Sequence, residues 1–264
     1  MSYGAIIGDI AGSIYEWYPI KTKEFDLFSP KCTYTDDSVC SAAVSEILLS
    51  DRLPSAAQLL RQWCIKHPNR GYGGLFREWI DNSDMGPYDS YGNGAAMRVS
   101  PAAHLNQKQP IDAALMASDM VTQITHNHPE GVKGARATTH AIWLAFQRES
   151  PLTIRTAIEN TYNYDLSRTV DEIRPTYSFD ETCQGSVPES IICALESTDF
   201  EDAIRNAISL GGDADTQACI AGSIAEALHG IPDELITQAN QFLPQDIITM
   251  MDRLYQSNSG SSKP

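Results

Sequence analysis

Positive charge is scarce in this chain: 19 lysines and arginines stand against 34 aspartates and glutamates, for a net charge of −15 over 264 residues. Nonspecific nucleic-acid binding, which needs cations to neutralise phosphates, is thereby excluded as a main activity, and nucleic acid enters only as the carrier of a modification. A phosphorylated small ligand stays open, provided metal ions and backbone N–H groups offset the repulsion. Long apolar runs are also missing. No stretch of about 18 apolar residues occurs, so no transmembrane helix is expected. The start, Met1 to Asp9, lacks a cationic segment and carries Asp9 inside its apolar run, which is not the pattern of a signal peptide. The six cysteines (Cys32, Cys40, Cys64, Cys183, Cys193, Cys219) contain no C-x-x-C pair and are expected to be reduced, buried thiols. Neither a P-loop nor a G-x-G-x-x-G fingerprint is present. A soluble cytoplasmic protein is expected.

Period-two alternation is absent as well, whereas helical spacing is everywhere. Apolar residues recur at three- and four-residue steps over 36–50 (Val39, Ala42, Ala43, Ile47), 110–125 and 129–148. The same spacing returns over 186–196, 200–210, 215–229 and 232–255. Pro54, Pro110, Pro129, Pro151 and Pro232 open such segments, where a missing N–H costs little. With 42% hydrophobic residues the chain can bury a large core. The pattern predicts one all-α domain over residues 1–256, of roughly ten or more helices. The Ser- and Gly-rich end, 257–264, is predicted to be a disordered tail. In the first helix Ala5, Gly8 and Gly12 would let another helix approach closely, and Asp9 and Glu16 fall on nearly one face. Asp9 is expected to serve as a structural hydrogen-bond acceptor.

Two acidic clusters carry the chemistry: Thr35-Asp36-Asp37, and Gly211-Gly212-Asp213-Ala214-Asp215-Thr216. Each groups carboxylates with a hydroxyl where a helical pattern begins. Such residues also serve as ordinary helix caps, but hard divalent cations prefer oxygen donors of this kind. After Gly-Gly, the Asp-x-Asp-Thr run cannot place both carboxylates on one helix face and points to a tight turn that aims them at one place. Between the clusters lie two glycine-bearing loops. Asn69 to Gly74 runs into a helical pattern and can turn bare N–H groups toward a phosphate. Ser90-Tyr91-Gly92-Asn93-Gly94-Ala95-Ala96-Met97-Arg98 offers an aromatic ring, a flexible backbone and an amide. In Thr125-His126-Asn127-His128-Pro129, two histidines could begin a zinc site, but the further N or S ligands it needs are not evident nearby. A histidine that bonds a sugar hydroxyl fits better.

Gly8-Asp9-x-x-Gly12-x-x-x-Glu16, Thr35-Asp36-Asp37-Ser38, Arg70-Gly71-Tyr72-Gly73, Gly92 to Arg98, His126, Ser186-Val187-Pro188 and Gly211 to Thr216 together resemble the ordered motifs of the ADP-ribosylglycohydrolase family, over about residues 4 to 230. The resemblance implies an all-α, single-domain orthogonal bundle with a binuclear cleft for two Mg²⁺ or Mn²⁺ ions, and removal of ADP-ribose from a modified acceptor, typically a protein. It implies Thr35, Asp36, Asp37, Asp213, Asp215 and Thr216 as metal ligands, joined by Glu16 on a mobile flap. Gly71, Tyr72, Gly73 and Gly74 match a diphosphate-contacting loop. Asp89, Ser90, Tyr91, Gly92, Asn93, Gly94 and Met97 match the neighbouring substrate loop, and His126 a ribose contact. Ser38 stands where the family more usually has Thr.

Five carboxylates (Glu16, Asp36, Asp37, Asp213, Asp215) converging without a cation would repel one another and force protonation. Two divalent ions relieve that strain, grip ribose hydroxyls and activate a water that attacks C1″ through an oxocarbenium-like transition state. Glu16 is the first choice to take the proton and Asp213 the second. Asp89 favours an arginine-linked acceptor by resemblance, while Glu16 and the Ser90 to Asn93 loop look like the serine-linkage branch. Two other activities fit the same residues: hydrolysis of a free ester such as O-acetyl-ADP-ribose, and ADP-ribose binding without turnover.

Overall fold

The computed structural model describes residues 3–50 and 55–259. Its helices are α1 (Tyr3–Gly12), α2 (Asp36–Leu49), α3 (Ala56–Lys66), α4 (Gly74–Asp81), α5 (Gly94–Met97), α6 (Ser100–Leu105), α7 (Ile111–Thr122), α8 (Pro129–Phe146), α9 (Pro151–Tyr162), α10 (Val170–Ile173), α11 (Cys183–Leu195), α12 (Phe200–Ser209), α13 (Ala214–His229), α14 (Asp233–Ala239) and α15 (Gln245–Ser259). Among the described residues there is no strand; one isolated antiparallel bridge joins Gly92 to Thr182. The expected all-α domain is what forms. No described helix is long and apolar enough to cross a membrane.

The pair α1 and α13 forms the centre. Every residue of α1 is buried, as is α13 from Ala214 to Glu226, so neither has a polar face and both must be surrounded by other helices. Their backbones touch along stripes of small residues. A Cβ placed on Gly4, Gly8 or Gly12 would lie 2.2, 2.0 or 2.5 Å from the carbonyl oxygens of Gly222, Ala218 and Ala214 respectively. The descending partner numbers make the helices antiparallel, so the end of α1 meets the start of α13. That places Asp9 beside the second acidic cluster.

Three local expectations are corrected. The first helix stops at Gly12, and a turn follows in which the Tyr15 N–H donates to the Gly12 carbonyl at 2.8 Å. Glu16 therefore sits on a turn rather than on the helical face of Asp9. The single helix expected over 232–255 is divided: α14 runs into a 3₁₀ turn (Asn240–Phe242), and α15 begins after Pro244, which has no N–H with which to continue the ladder. The expected tail is helical through Ser259, and 260–264, like Pro54, lie outside the described residues. All six cysteines are free and buried.

Candidate active site

The acidic clusters meet because two helix N-termini meet. Thr35 caps α2, with Asp36 and Asp37 in its first turn, and Asp213 precedes α13, with Asp215 in its first turn. Unpaired N–H groups and the positive end of the helix dipole make these the least costly places in the fold for carboxylates. Gly211, at φ +68°, forms the turn into α13; a side chain there would strike the Ile20 carbonyl at 2.9 Å.

Asp9 staples α1 to the start of α2. It accepts from the Thr35 N–H (3.0 Å), the Thr35 hydroxyl (2.6 Å), the Ser38 N–H (3.1 Å) and the Ser38 hydroxyl. It is engaged by four protein donors, as expected of a structural acceptor, and Ser38 supplies two of them. Asp37 differs: its Oδ2 lies 3.2 Å from the Thr35 hydroxyl and 3.3 Å from that of Thr216, but its buried Oδ1 accepts nothing from the described residues. Carboxylate oxygens of Asp9, Asp37 and Asp215 lie within 4.8 Å of one another. Asp213 is held from another element, accepting from the Asn93 amide at 2.7 Å. The Asn93 loop is itself clamped, with the Asn93 N–H on the Glu181 carbonyl (2.8 Å) and the Cys183 N–H on the Tyr91 carbonyl (2.9 Å).

Burial foremost, with neighbouring negative charge, holds Asp36, Asp37 and Asp215 well above the usual carboxylate range. Burial pushes Asp213 up to about 6, against hydrogen bonds to Asp215 and Asn93. Burial and then the charge of Asp215 push Glu16 up to about 7. A cation among these carboxylates would offset both the burial and the repulsion. Oxygen donors alone, one of them an orphaned buried carboxylate oxygen, fit a hard divalent ion.

The cluster floors a cleft of about 390 Å³. Glu16, Asp36, Asp37, Asp213, Asp215 and Thr216 line it, together with Gly71, Gly73, Gly74, Ser90, Gly92, Asn93, Gly94, Met97 and His126. Four expected residues are placed otherwise. Tyr72 is core: its hydroxyl donates to the His67 carbonyl at 2.7 Å. Thr35 lies behind Asp37 and gives its hydroxyl to Asp9. Tyr91 is half-exposed with its ring against His128, centroids 5.1 Å apart, and His128 is occupied capping α8. Asp89 is exposed on the rim at φ +57°, between the lining residues Tyr88 and Ser90. Arg98, Phe179 and Glu181 also line the cleft and were not assigned roles from the sequence. The run 174–182 gave no motif, and Arg98 closed one without a stated purpose.

The family model described as ADP-ribosylglycohydrolase matches residues 1–264, and the chain belongs to that family. It is 25% identical to ADP-ribosylhydrolase ARH3 of Homo sapiens, over 97% of this chain and 92% of that protein. It is 26% identical to ADP-ribosyl-[dinitrogen reductase] glycohydrolase of Rhodospirillum rubrum, over 75% and 70%. With ADP-ribosylarginine hydrolase Tri1 of Pseudomonas putida it shares 28% identity, over 56% and 41%. Among solved structures, an ADP-ribosylglycohydrolase-related protein complex shares the fold at TM-score 0.71 and 19% identity, covering 97% of this chain and 95% of that one.

Proposed function

We propose that this member of the ADP-ribosylglycohydrolase family hydrolyses the glycosidic bond between ADP-ribose and a modified acceptor with the help of two divalent cations. The observation that carries the proposal is the cluster of Asp37 and Asp215 beside Asp9, with Asp37 Oδ1 accepting from no donor among the described residues, at a cleft walled by glycine backbone. Asp36, Asp37, Asp213, Asp215, Thr216 and Glu16 would hold Mg²⁺ or Mn²⁺. Bound there, such ions supply positive charge for ribose hydroxyls and acidify a water.

The chain's own groups divide the remaining tasks. Gly73 caps α4 without a side chain, so the first N–H groups of that helix are available to an anionic diphosphate at the cleft wall. Asn93 keeps Asp213 aimed at the floor. Glu16, on a turn beyond α1, takes the proton of the attacking water, with Asp213 as the second candidate. His126 reaches the same cleft and meets a ribose oxygen.

For the acceptor we place arginine ahead of serine. Asp89 stands on the rim where a cationic leaving group would emerge, and hydrolases named for arginine and for dinitrogen reductase are among the relatives. The test is a panel of arginine-, serine- and nucleic-acid-linked ADP-ribose together with O-acetyl-ADP-ribose, each with Mg²⁺ or Mn²⁺ and with excess chelator. Metal-dependent release from the arginine-linked substrate, depressed by Asp89→Asn without loss of ADP-ribose binding, is expected. Turnover in chelator after confirmed metal removal would sink the cation role. Release from serine-linked substrate alone would sink the arginine assignment.

A further inference from the structure

Arg98 is a cation that the acid cluster does not use. It is buried, lines the cleft and follows α5, yet the ion pairs formed by arginines among the described residues take Arg136, Arg155, Arg168, Arg174 and Arg205 and leave it out. Its guanidinium lies over the Phe76 ring, 5.0 Å from the centroid. Its Nε–H donates to the Gly94 carbonyl and its Nη1–H to the Thr125 hydroxyl oxygen at 3.4 Å. That hydroxyl lies 2.7 Å from Nδ1 of His126.

Counting protons along this chain fixes its direction. A guanidinium only donates, so Thr125 accepts from Arg98 and still has its own proton to place. Among the described residues, Nδ1 of His126 is the acceptor within reach of that proton. Were Nδ1 to carry a hydrogen, the buried Thr125 O–H would have no acceptor, at a cost of about 1–3 kcal/mol. His126 is buried, with the Tyr88 ring 6.1 Å away and Arg98 as the charged group on it. Burial first, and the positive charge of Arg98 second, hold its pKa well below the usual histidine value. An uncharged ring that accepts at Nδ1 carries its hydrogen on Nε2. Nε2 faces the glycine wall: a Cβ on Gly94 would lie 3.3 Å from it and one on Gly92 3.7 Å.

We propose that Arg98 and Thr125 are positioning residues that lock His126 in the Nε2–H tautomer, so that it presents the cleft with a fixed hydrogen-bond donor for a ligand oxygen. His126 then takes up no proton during the reaction, and proton transfer is left to the carboxylates. That the oxygen is a ribose hydroxyl rests on the hydrolase proposal; the tautomer does not.

The test is long-range ¹H–¹⁵N correlation on the full chain with labelled histidine, the His126 signal being assigned by its loss in His126→Gln. The expected pattern is a protonated Nε2 and an unprotonated Nδ1 at neutral pH and above, since the ring there neither charges nor flips. Thr125→Val should populate the Nδ1–H form and weaken ADP-ribose about tenfold, while Thr125→Ser should restore both, the lost bond being one ordinary hydrogen bond. A protonated Nδ1 or an imidazolium at pH 7 in the wild type would overturn the lock. So would an unchanged tautomer in Thr125→Val. The wild-type spectrum decides the tautomer even where a variant fails to fold. The expected tautomer in a protein that binds no ADP-ribose would support the lock and count against the hydrolase proposal, so the two fail separately.

Discussion

Gly8→Ala isolates the contact on which the site depends. The added Cβ would lie 2.0 Å from the Ala218 carbonyl oxygen, 2.3 Å from its carbon and 2.6 Å from the Cys219 nitrogen. Ordinary carbon contacts sit at about 3.5–4.0 Å, so α1 and α13 must part by more than about 1 Å. Alanine gains about 0.5–1 kcal/mol over glycine from helix propensity. Overpacking a core typically costs about 1–3 kcal/mol, and backbone neighbours that cannot change rotamer put this case at the upper end. The expected net loss is about 2–3 kcal/mol. In a chain of this size that lowers Tm by about 4–12 °C. Separation of the two helices also moves Asp9 from the start of α13, so the rise in Tm on adding Mg²⁺ or Mn²⁺ should shrink. Gly86→Ala is the control, because nothing lies within 4 Å of its added Cβ. Differential scanning calorimetry with and without cation reads both quantities. A Gly8→Ala protein that melts with the wild type and keeps its full cation response would refute the close-packing argument.

Saturation with Mg²⁺ at about one hundred times its dissociation constant should stabilise the wild type by about 2.7 kcal/mol, and Asp37→Asn, which removes the orphaned oxygen's charge, should abolish most of that shift. Asn93→Ala should lower turnover about 10–100-fold by releasing Asp213, with little change in melting, and an unchanged rate would mean that Asp213 needs no support. Asp246 lies 2.6 Å from Lys66; partial burial raises its pKa, but the Lys66 hydrogen bond and the charges of His67 and Lys66 outweigh it and leave the carboxyl below its usual range. A depressed carboxyl contributes stability above its unfolded value of about 3.9 that is lost as pH falls through the folded one, so Asp246→Asn should lower the urea midpoint at neutral pH, flatten its acid limb, and converge with the wild type at low pH.

How far the sequence alone could reach depended on how local each signal was. Helix starts at Pro129, Pro151 and the Thr35 cap were legible because a single residue fixes each of them. The Asp and Thr residues of both clusters were legible as oxygen donors before their meeting was known. The end of α1 was not, because Ser13 to Glu16 remain compatible with helix and the break is imposed by the loop that returns to Thr33, whose N–H donates to the Ser13 hydroxyl at 3.1 Å. Tyr72 misled for a related reason. In a glycine-rich run its backbone can face a ligand while its ring faces the core, and sequence spacing does not separate the two. Arg98 was hidden more deeply, since a buried arginine serving a carbonyl and a hydroxyl looks in sequence like any surface cation.

The same features explain why so acidic a site can be built at all. Burying several carboxylates would force protonation or unfold a domain of ordinary stability. Here the cost is divided. Asp9 is neutralised in effect by four donors from α2, two of them the N–H groups of Thr35 and Ser38 at the helix start. Asp213 has the Asn93 amide and Asp215 the first turn of α13. Asp37 is left with one oxygen to which no group among the described residues donates. A site satisfied throughout by protein donors would be more stable and would have nothing left for a cation. On the proposed reading the unsatisfied oxygen is the one kept for a cation, and the close contact of α1 with α13 is what holds it in place.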